Sequence, residues 1–212
     1  MKICEIFTSI QGESTFAGRP CTFIRLSGCN LRCGYCDTKY SYDESVEMEQ
    51  ADILGRVASA GVRLVEITGG EPLLQGKDTN SLIIELLDRG YEVLVETNGS
   101  MSIGELDKRT KVILDMKTPC SGMSHKMDMT NLGLIKKSDE VKFVICSRED
   151  YEWSKKIISH YGLEEKCEVL FSPAFGMLRP GELAAWIISD RLRVRLNIQL
   201  HKYIFDPLER GV

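Results

Sequence analysis

Cys29, Cys33 and Cys36 form a Cys-x3-Cys-x2-Cys run in the segment Ser-Gly-Cys-Asn-Leu-Arg-Cys-Gly-Tyr-Cys-Asp-Thr, residues 27–38. Three thiolates can hold three irons of a 4Fe–4S cube, whose usual complement is four cysteines. The fourth iron is then open to a small molecule, so the cluster can do chemistry as well as carry electrons. Other readings stay open at this point. A Cys-x2-Cys pair is also half a zinc site or a redox dithiol. Zinc would want a fourth Cys or His at finger-like spacing, and His125, His160 and His201 are distant and unpaired. A disulfide framework fits poorly. Eight cysteines in 212 residues is far below scaffold density, and the start of the chain has no signal-peptide pattern. Cys4, Cys21, Cys120, Cys146 and Cys167 lack cluster spacing and read as small apolar fillers.

Three more motifs offer binding groups. Thr68-Gly-Gly-Glu-Pro72 follows an apolar run. Gly69 and Gly70 let backbone approach a ligand closely, or simply make a tight turn. Glu71 offers a carboxylate for an ammonium group. Glu96-Thr-Asn-Gly99 offers the hydroxyl of Thr97 and the amide of Asn98 to a ribose. Asp115-Met-Lys-Thr-Pro119 offers Lys117 as a point charge for a carboxylate. Both are also ordinary turn sequences.

Elements must position these groups. Apolar runs predict strands over residues 21–27, 62–68, 91–97, 111–116, 140–146, 167–171 and 194–200. Helices are predicted over 47–60, 81–89, 149–161 and 181–189, with Gly90 capping the second. Strands alternating with helices imply a parallel sheet. The glycine and polar motifs fall just after strand C-termini, the edge that carries the active site in barrel-like α/β folds. There are too few strands for an eight-fold barrel. The expected fold class is α/β, a partial parallel β/α barrel open on one side, in a single domain over residues 1–212.

The cysteine spacing, the aromatic Tyr35 before the last cysteine and the Gly-Gly-Glu-Pro motif resemble the radical S-adenosylmethionine superfamily. The resemblance implies a 4Fe–4S cluster on Cys29, Cys33 and Cys36, with S-adenosylmethionine on the open iron. It implies cofactor contacts from Tyr35, Asp37, Gly69, Gly70, Glu71, Thr97, Asn98 and Lys117. Further segments narrow the likeness: Phe7-Thr-Ser-Ile-Gln-Gly-Glu-Ser14, Gly18-Arg-Pro-Cys-Thr-Phe-Ile-Arg25, Cys36-Asp-Thr38, Gln199-Leu-His-Lys-Tyr203 and Arg210-Gly-Val212. Nearly the whole chain is similar to the 7-carboxy-7-deazaguanine synthases, which contract a carboxylated tetrahydropterin ring with loss of ammonia, helped by magnesium. That implies substrate contacts from Ile10, Gln11, Gly12, Glu13, Arg25, Thr68, His201 and the terminal carboxylate of Val212. It implies magnesium at Thr38 and an electron donor of flavodoxin or ferredoxin type, and it admits a homodimer. Arg25 also reads as an outward-facing strand residue. Ser14 departs from the resemblance, since glycine is common there. A glycyl-radical activase would share the cysteine run but act on a protein. An iron–sulfur carrier or zinc module would leave Gly-Gly-Glu-Pro unexplained.

Composition sets the remaining bounds. Net charge is -4 and 43% of residues are hydrophobic, as in a soluble globule. No basic block suggests a nucleic-acid partner, and Arg191, Arg193 and Arg195 read as a solvated strand face. No apolar run is long enough to span a membrane, so a cytoplasmic enzyme is expected.

Overall fold

Alternation along the strands decides the architecture. The computed structural model describes residues 1–207 and 209–212. Nine strands form one sheet: β1 (Lys2–Ile10), β2 (Pro20–Leu26), β3 (Val46–Glu47), β4 (Leu64–Gly69), β5 (Glu92–Thr97), β6 (Lys111–Met116), β7 (Glu140–Ile145), β8 (Glu168–Pro173) and β9 (Arg195–Leu196). Their order is β3-β1-β2-β4-β5-β6-β7-β8-β9. From β2 to β9 all neighbours are parallel, while β1 runs antiparallel to β2 and β3. The sheet curls without closing, as the expected partial barrel requires.

Successive strand residues point to opposite faces. On the outer face, Ile24, Ile67, Val93 and Val95 pack on helices α1 (Gln50–Ala60) and α2 (Gly76–Asp88) through Ile53, Val57, Leu82 and Leu86. Farther along the sheet, Leu114, Phe143 and Phe171 join a second outer core. Its helical side comes from α4 (Arg148–Tyr161), α5 (Leu163–Lys166) and α6 (Pro180–Asp190). Short helices α3 (Asn131–Leu134) and α7 (His201–Ile204) sit in loops. The inner face changes character along each strand. Phe23, Leu64, Leu94 and Ile113 form an apolar plug, closed by Phe7 and Phe16. Two residues further on, the same face carries Arg25, Glu66, Glu96 and Asp115, and all four line a cavity.

Several expected boundaries move. β1 and β3 are strands that the sequence reading did not assign. The helix expected over 47–60 starts at Gln50, because Val46 and Glu47 pair with β1. The helix expected over 81–89 begins at Gly76. The last strand shrinks to Arg195–Leu196; Asn197 still donates from its backbone to Phe171 O at 2.9 Å, and beyond it Gln199 turns to donate to Glu13. All three arginines of the expected solvated face are exposed, but only Arg195 lies on the strand. Arg191 caps α6 with φ 54°, while Arg193 and Arg195 pair with Glu165 and Glu168. Ser14 takes φ 65°, a left-handed conformation that glycine would adopt without strain. Among the described residues, no helix is long and apolar enough to cross a membrane.

Candidate active site

A cavity of about 500 Å³ opens at the C-terminal edge of the parallel strands. Every site residue expected from the sequence lines it except Glu71. Cys29, Cys33 and Cys36 lie on the loop after β2. That loop is held by Gly28 N donating to Ser41 O at 2.8 Å and Gly34 N donating to Ser121 O at 3.1 Å. Cys36 N donates to Cys33 O at 3.2 Å, which curls the last turn. The Cys29 sulfur accepts from Leu31 N at 3.4 Å and the Asn98 amide at 3.7 Å. Burial pushes the Cys29 and Cys33 thiols up, and the Lys117 ammonium opposes this at both. The three sulfurs do not gather within 4.8 Å of one another. That suits ligands to separate corners of a cube and not to one ion.

The glycines of Thr68-Gly-Gly-Glu-Pro72 are sterically required. A Cβ on Gly69 would lie 2.2 Å from Leu26 O, and one on Gly70 would lie 2.1 Å from Gly28 O and 2.8 Å from Cys29 Cβ. Backbone therefore runs directly against the cluster loop, with Glu71 N donating to Gly28 O at 2.8 Å. Gly70→Ala is expected to displace that loop and cut iron retention several-fold. Iron per chain after reconstitution and desalting measures it, and wild-type iron content would contradict the close approach.

Glu71 is placed differently from the expectation. Its fully buried carboxylate accepts from Leu73 N at 2.9 Å, Thr97 Oγ1 at 2.8 Å and Asn98 N at 2.7 Å. It joins the glycine loop to the end of β5. The Thr97 hydroxyl is committed to that bond. The Asn98 side chain is held by Asn30 and Ser100. Lys117 is paired to Asp115 at 2.8 Å. Two polar atoms in the cavity wall are buried without a hydrogen-bond partner, the Tyr35 hydroxyl and Asp115 Oδ1. Orphaned polar atoms beside a glycine cradle and three thiols fit a polar cofactor that brings its own donors and acceptors.

Away from the cysteines, the wall is a network of ionisable groups. Glu13 accepts from Gln199 at 2.9 Å and pairs with Lys142 at 3.0 Å. Lys142 also pairs closely with Glu96 and lies 3.5 Å from Asp115, its register partner across β6 and β7. Gln11 donates a short hydrogen bond to Glu66. Burial, with Glu96 and Glu13 nearby, pushes the Glu66 carboxyl well above the usual carboxylate range. Glu13 and Asp115 are held low by lysine charge that outweighs their burial. Glu66, Glu96, Asp115 and Lys142 were not singled out from the sequence. Their signal is a charged residue within an otherwise apolar parallel strand, on the same face as a motif residue two positions away.

Arg25, half-buried, donates through Nε to Glu5 at 2.7 Å, and Tyr40 donates to the same oxygen at 2.9 Å. Arg25 faces inward, not outward, and is the register partner of Thr68. Thr38 Oγ1 lies 3.8 Å from Cys36 Sγ. The N- and C-terminal segments close the cavity. Leu200 N donates to Gly12 O at 2.8 Å, and a Cβ on Gly12 would lie 2.0 Å from His201 Nδ1. Asp37 latches the cysteine loop to α7 through Lys202 at 2.6 Å. Burial lowers the His201 pKa, so its ring is neutral near neutral pH. Ile10 and Val212 complete the wall.

A model of the Radical SAM superfamily matches residues 23–162. The 7-carboxy-7-deazaguanine synthase of Chlorobaculum tepidum is 45% identical over all of this chain and 97% of its own. The chain belongs to the 7-carboxy-7-deazaguanine synthase family of radical S-adenosylmethionine enzymes. The synthases of Koribacter versatilis and Clostridium acetobutylicum are 40% and 37% identical, each over the whole chain. The fold is also that of a crystal structure of QueE from Escherichia coli, with TM-score 0.78 at 24% identity over 94% of each chain. Family membership fixes the cofactors as a 4Fe–4S cluster and S-adenosylmethionine, for which Cys29, Cys33, Cys36 and the glycine cradle are the fitting residues.

Proposed function

We propose that the chain converts 6-carboxy-5,6,7,8-tetrahydropterin to 7-carboxy-7-deazaguanine with release of ammonia. The observation that carries this is the composition of one cavity: three cluster cysteines, an inward arginine and a buried carboxylate–amide–lysine network share its wall. A pterin presents N–H donors and ring acceptors along one edge and a carboxylate on the reacting ring. Ionised Glu13 accepts from N–H groups, and Glu66 adds a second carboxyl to the same wall. The Arg25 guanidinium is anchored by Glu5 through Nε, and among the described residues its forked end makes no hydrogen bond, which leaves it for the substrate carboxylate. Thr38 offers a hard oxygen to magnesium, with substrate and water as its other ligands.

When bound, the cluster and S-adenosylmethionine supply a hydrogen-abstracting 5′-deoxyadenosyl radical, given an electron from a donor of flavodoxin or ferredoxin type. The chain's own residues orient and enclose. The Gln11–Glu66 and Glu13–Gln199 bonds fix the acceptor edge, and the Asp37–Lys202 pair ties α7 to the cysteine loop at the cavity mouth.

Arg25→Ala is expected to weaken pterin binding by about 2–5 kcal/mol, as for one partner removed from a desolvated charge pair. Thr38→Ala is expected to lose the magnesium stimulation while keeping its iron. Calorimetry for the first and a magnesium titration of rate for the second test these assignments. If both variants match wild type, Arg25 and Thr38 are structural and the pterin reading fails.

A further inference from the structure

Outside the cavity the chain gathers another set of metal-ligating side chains. The sulfurs of Cys120 and Cys146 and a carboxylate oxygen of Asp150 all lie within 4.8 Å of one another, the one such trio among the described residues. In the sequence alone, both cysteines read as apolar fillers. Cys120 is exposed, Cys146 is 8% exposed and Asp150 is 1% exposed. Asp150 is fixed by the cysteines' own backbone. Its Oδ1 accepts from Cys120 N and its Oδ2 from Cys146 N, both at 3.0 Å. One carboxylate thus clamps the loop after β6 to the junction of β7 and α4. Ser147 caps α4 by accepting from Asp150 N at 3.4 Å, which sets Asp150 in the first turn. No Lys or Arg forms an ion pair with Asp150 among the described residues, so the trio has no cation of its own. Burial and the two neighbouring acids push the Cys146 thiol up.

We propose that Cys120, Cys146 and Asp150 bind a zinc-class cation, at a site separate from the iron–sulfur cluster. Two thiolates and a carboxylate are a zinc donor set, with water completing a tetrahedron. The carboxylate oxygens each keep a lone pair beyond the backbone bond they accept. Binding displaces the two thiol protons to solvent, and the exposed Cys120 gives the ion a route in. The site braces the cluster loop from behind. Ser121 O accepts from Gly34 N at 3.1 Å, and Cys120 O lies 3.7 Å from where a Gly34 Cβ would stand. Gly34 is flanked by Cys33 and Tyr35, so an ion on Cys120 would stiffen the segment on which that loop leans.

The test uses anaerobic, cluster-loaded enzyme, in which Cys29, Cys33 and Cys36 are occupied. It is equilibrated with micromolar zinc, desalted and counted for zinc and iron by mass spectrometry. One zinc per chain is expected in addition to the cluster iron, with two sulfurs at about 2.3 Å by X-ray absorption. Cys120→Ser, at an exposed position that leaves the fold intact, should reduce zinc retention at least ten-fold with iron unchanged. Asp150→Asn should weaken it as well. No retained zinc in the wild type, or equal retention by Cys120→Ser, would overturn the proposal. So would a Cys120–Cys146 disulfide that forms under mild oxidation in a protein that binds no zinc when reduced. Iron content and ring-contraction activity are read separately, so failure here leaves the pterin assignment standing.

Discussion

Cys33→Ala is expected to yield a folded protein with no stable 4Fe–4S cluster and no turnover. Cys33 is half-buried and packs at the margin of the outer core, so its truncation costs about 1 kcal/mol of stability. The loss of one of three thiolates is of another order, because nothing nearby replaces it. Among the described residues, no cysteine besides Cys29, Cys33 and Cys36 lines the cavity. Circular dichroism should match wild type while iron, sulfide and the brown chromophore collapse. The same holds for Cys29→Ala and Cys36→Ala. Full iron and sulfide loading in the triple variant would sink the cluster assignment.

Lys142→Met is expected to have the largest effect on stability. The ammonium is held between Glu13, Glu96 and Asp115, at 3.0 Å, in short contact, and at 3.5 Å respectively. Lys142 and Asp115 are buried and Glu13 and Glu96 half-buried in the cavity wall, and the lysine's own pKa is raised by these partners against its burial. Removing one partner of a buried ion pair costs about 3–5 kcal/mol, because the remaining charge is stranded. The pH dependence has a definite sign. Glu96 is already raised by burial, and loss of Lys142 raises it further. A carboxyl with a raised folded pKa contributes full stability below its unfolded value of about 4.3. That contribution is lost as pH rises through the folded value. The variant should therefore lie close to wild type in mild acid and fall away toward neutral pH. Glu96→Gln added to Lys142→Met should recover part of the loss. Denaturant midpoints at several pH values measure this. A deficit that is independent of pH would mean lost packing and not stranded charge.

How legible was this in the sequence? The cysteine run and the glycine motif were readable because their chemistry depends on local spacing. Cys29, Cys33 and Cys36 share one short loop, and Gly69 and Gly70 are needed for a backbone approach that local pattern can show. The parallel strands were readable because their outer faces are apolar. The acid–lysine network was not. Lys142 is 129 residues from Glu13 and meets it only when β7 closes toward the N-terminal segment. Read alone, a lysine in Val-Lys-Phe-Val is a solvated edge position. β1 was missed because its burial alternates weakly, with Ile3 its fully buried residue. Its order comes from pairing on both sides with β2 and β3. Glu71 was assigned to a ligand because a motif names a residue but not its partners. The three donors that occupy it come from residues 73, 97 and 98, which only the fold brings together.

The central claim is that this cavity contracts a pterin ring while regenerating its cofactor. The direct measurement is one anaerobic reaction of reconstituted enzyme, reductant, S-adenosylmethionine, magnesium and 6-carboxy-5,6,7,8-tetrahydropterin. Product and 5′-deoxyadenosine are counted together by mass spectrometry. The account predicts 7-carboxy-7-deazaguanine in many-fold excess over 5′-deoxyadenosine released, because the abstracted hydrogen returns each turn. Cofactor cleavage without deazaguanine, or one 5′-deoxyadenosine spent per product, would contradict it.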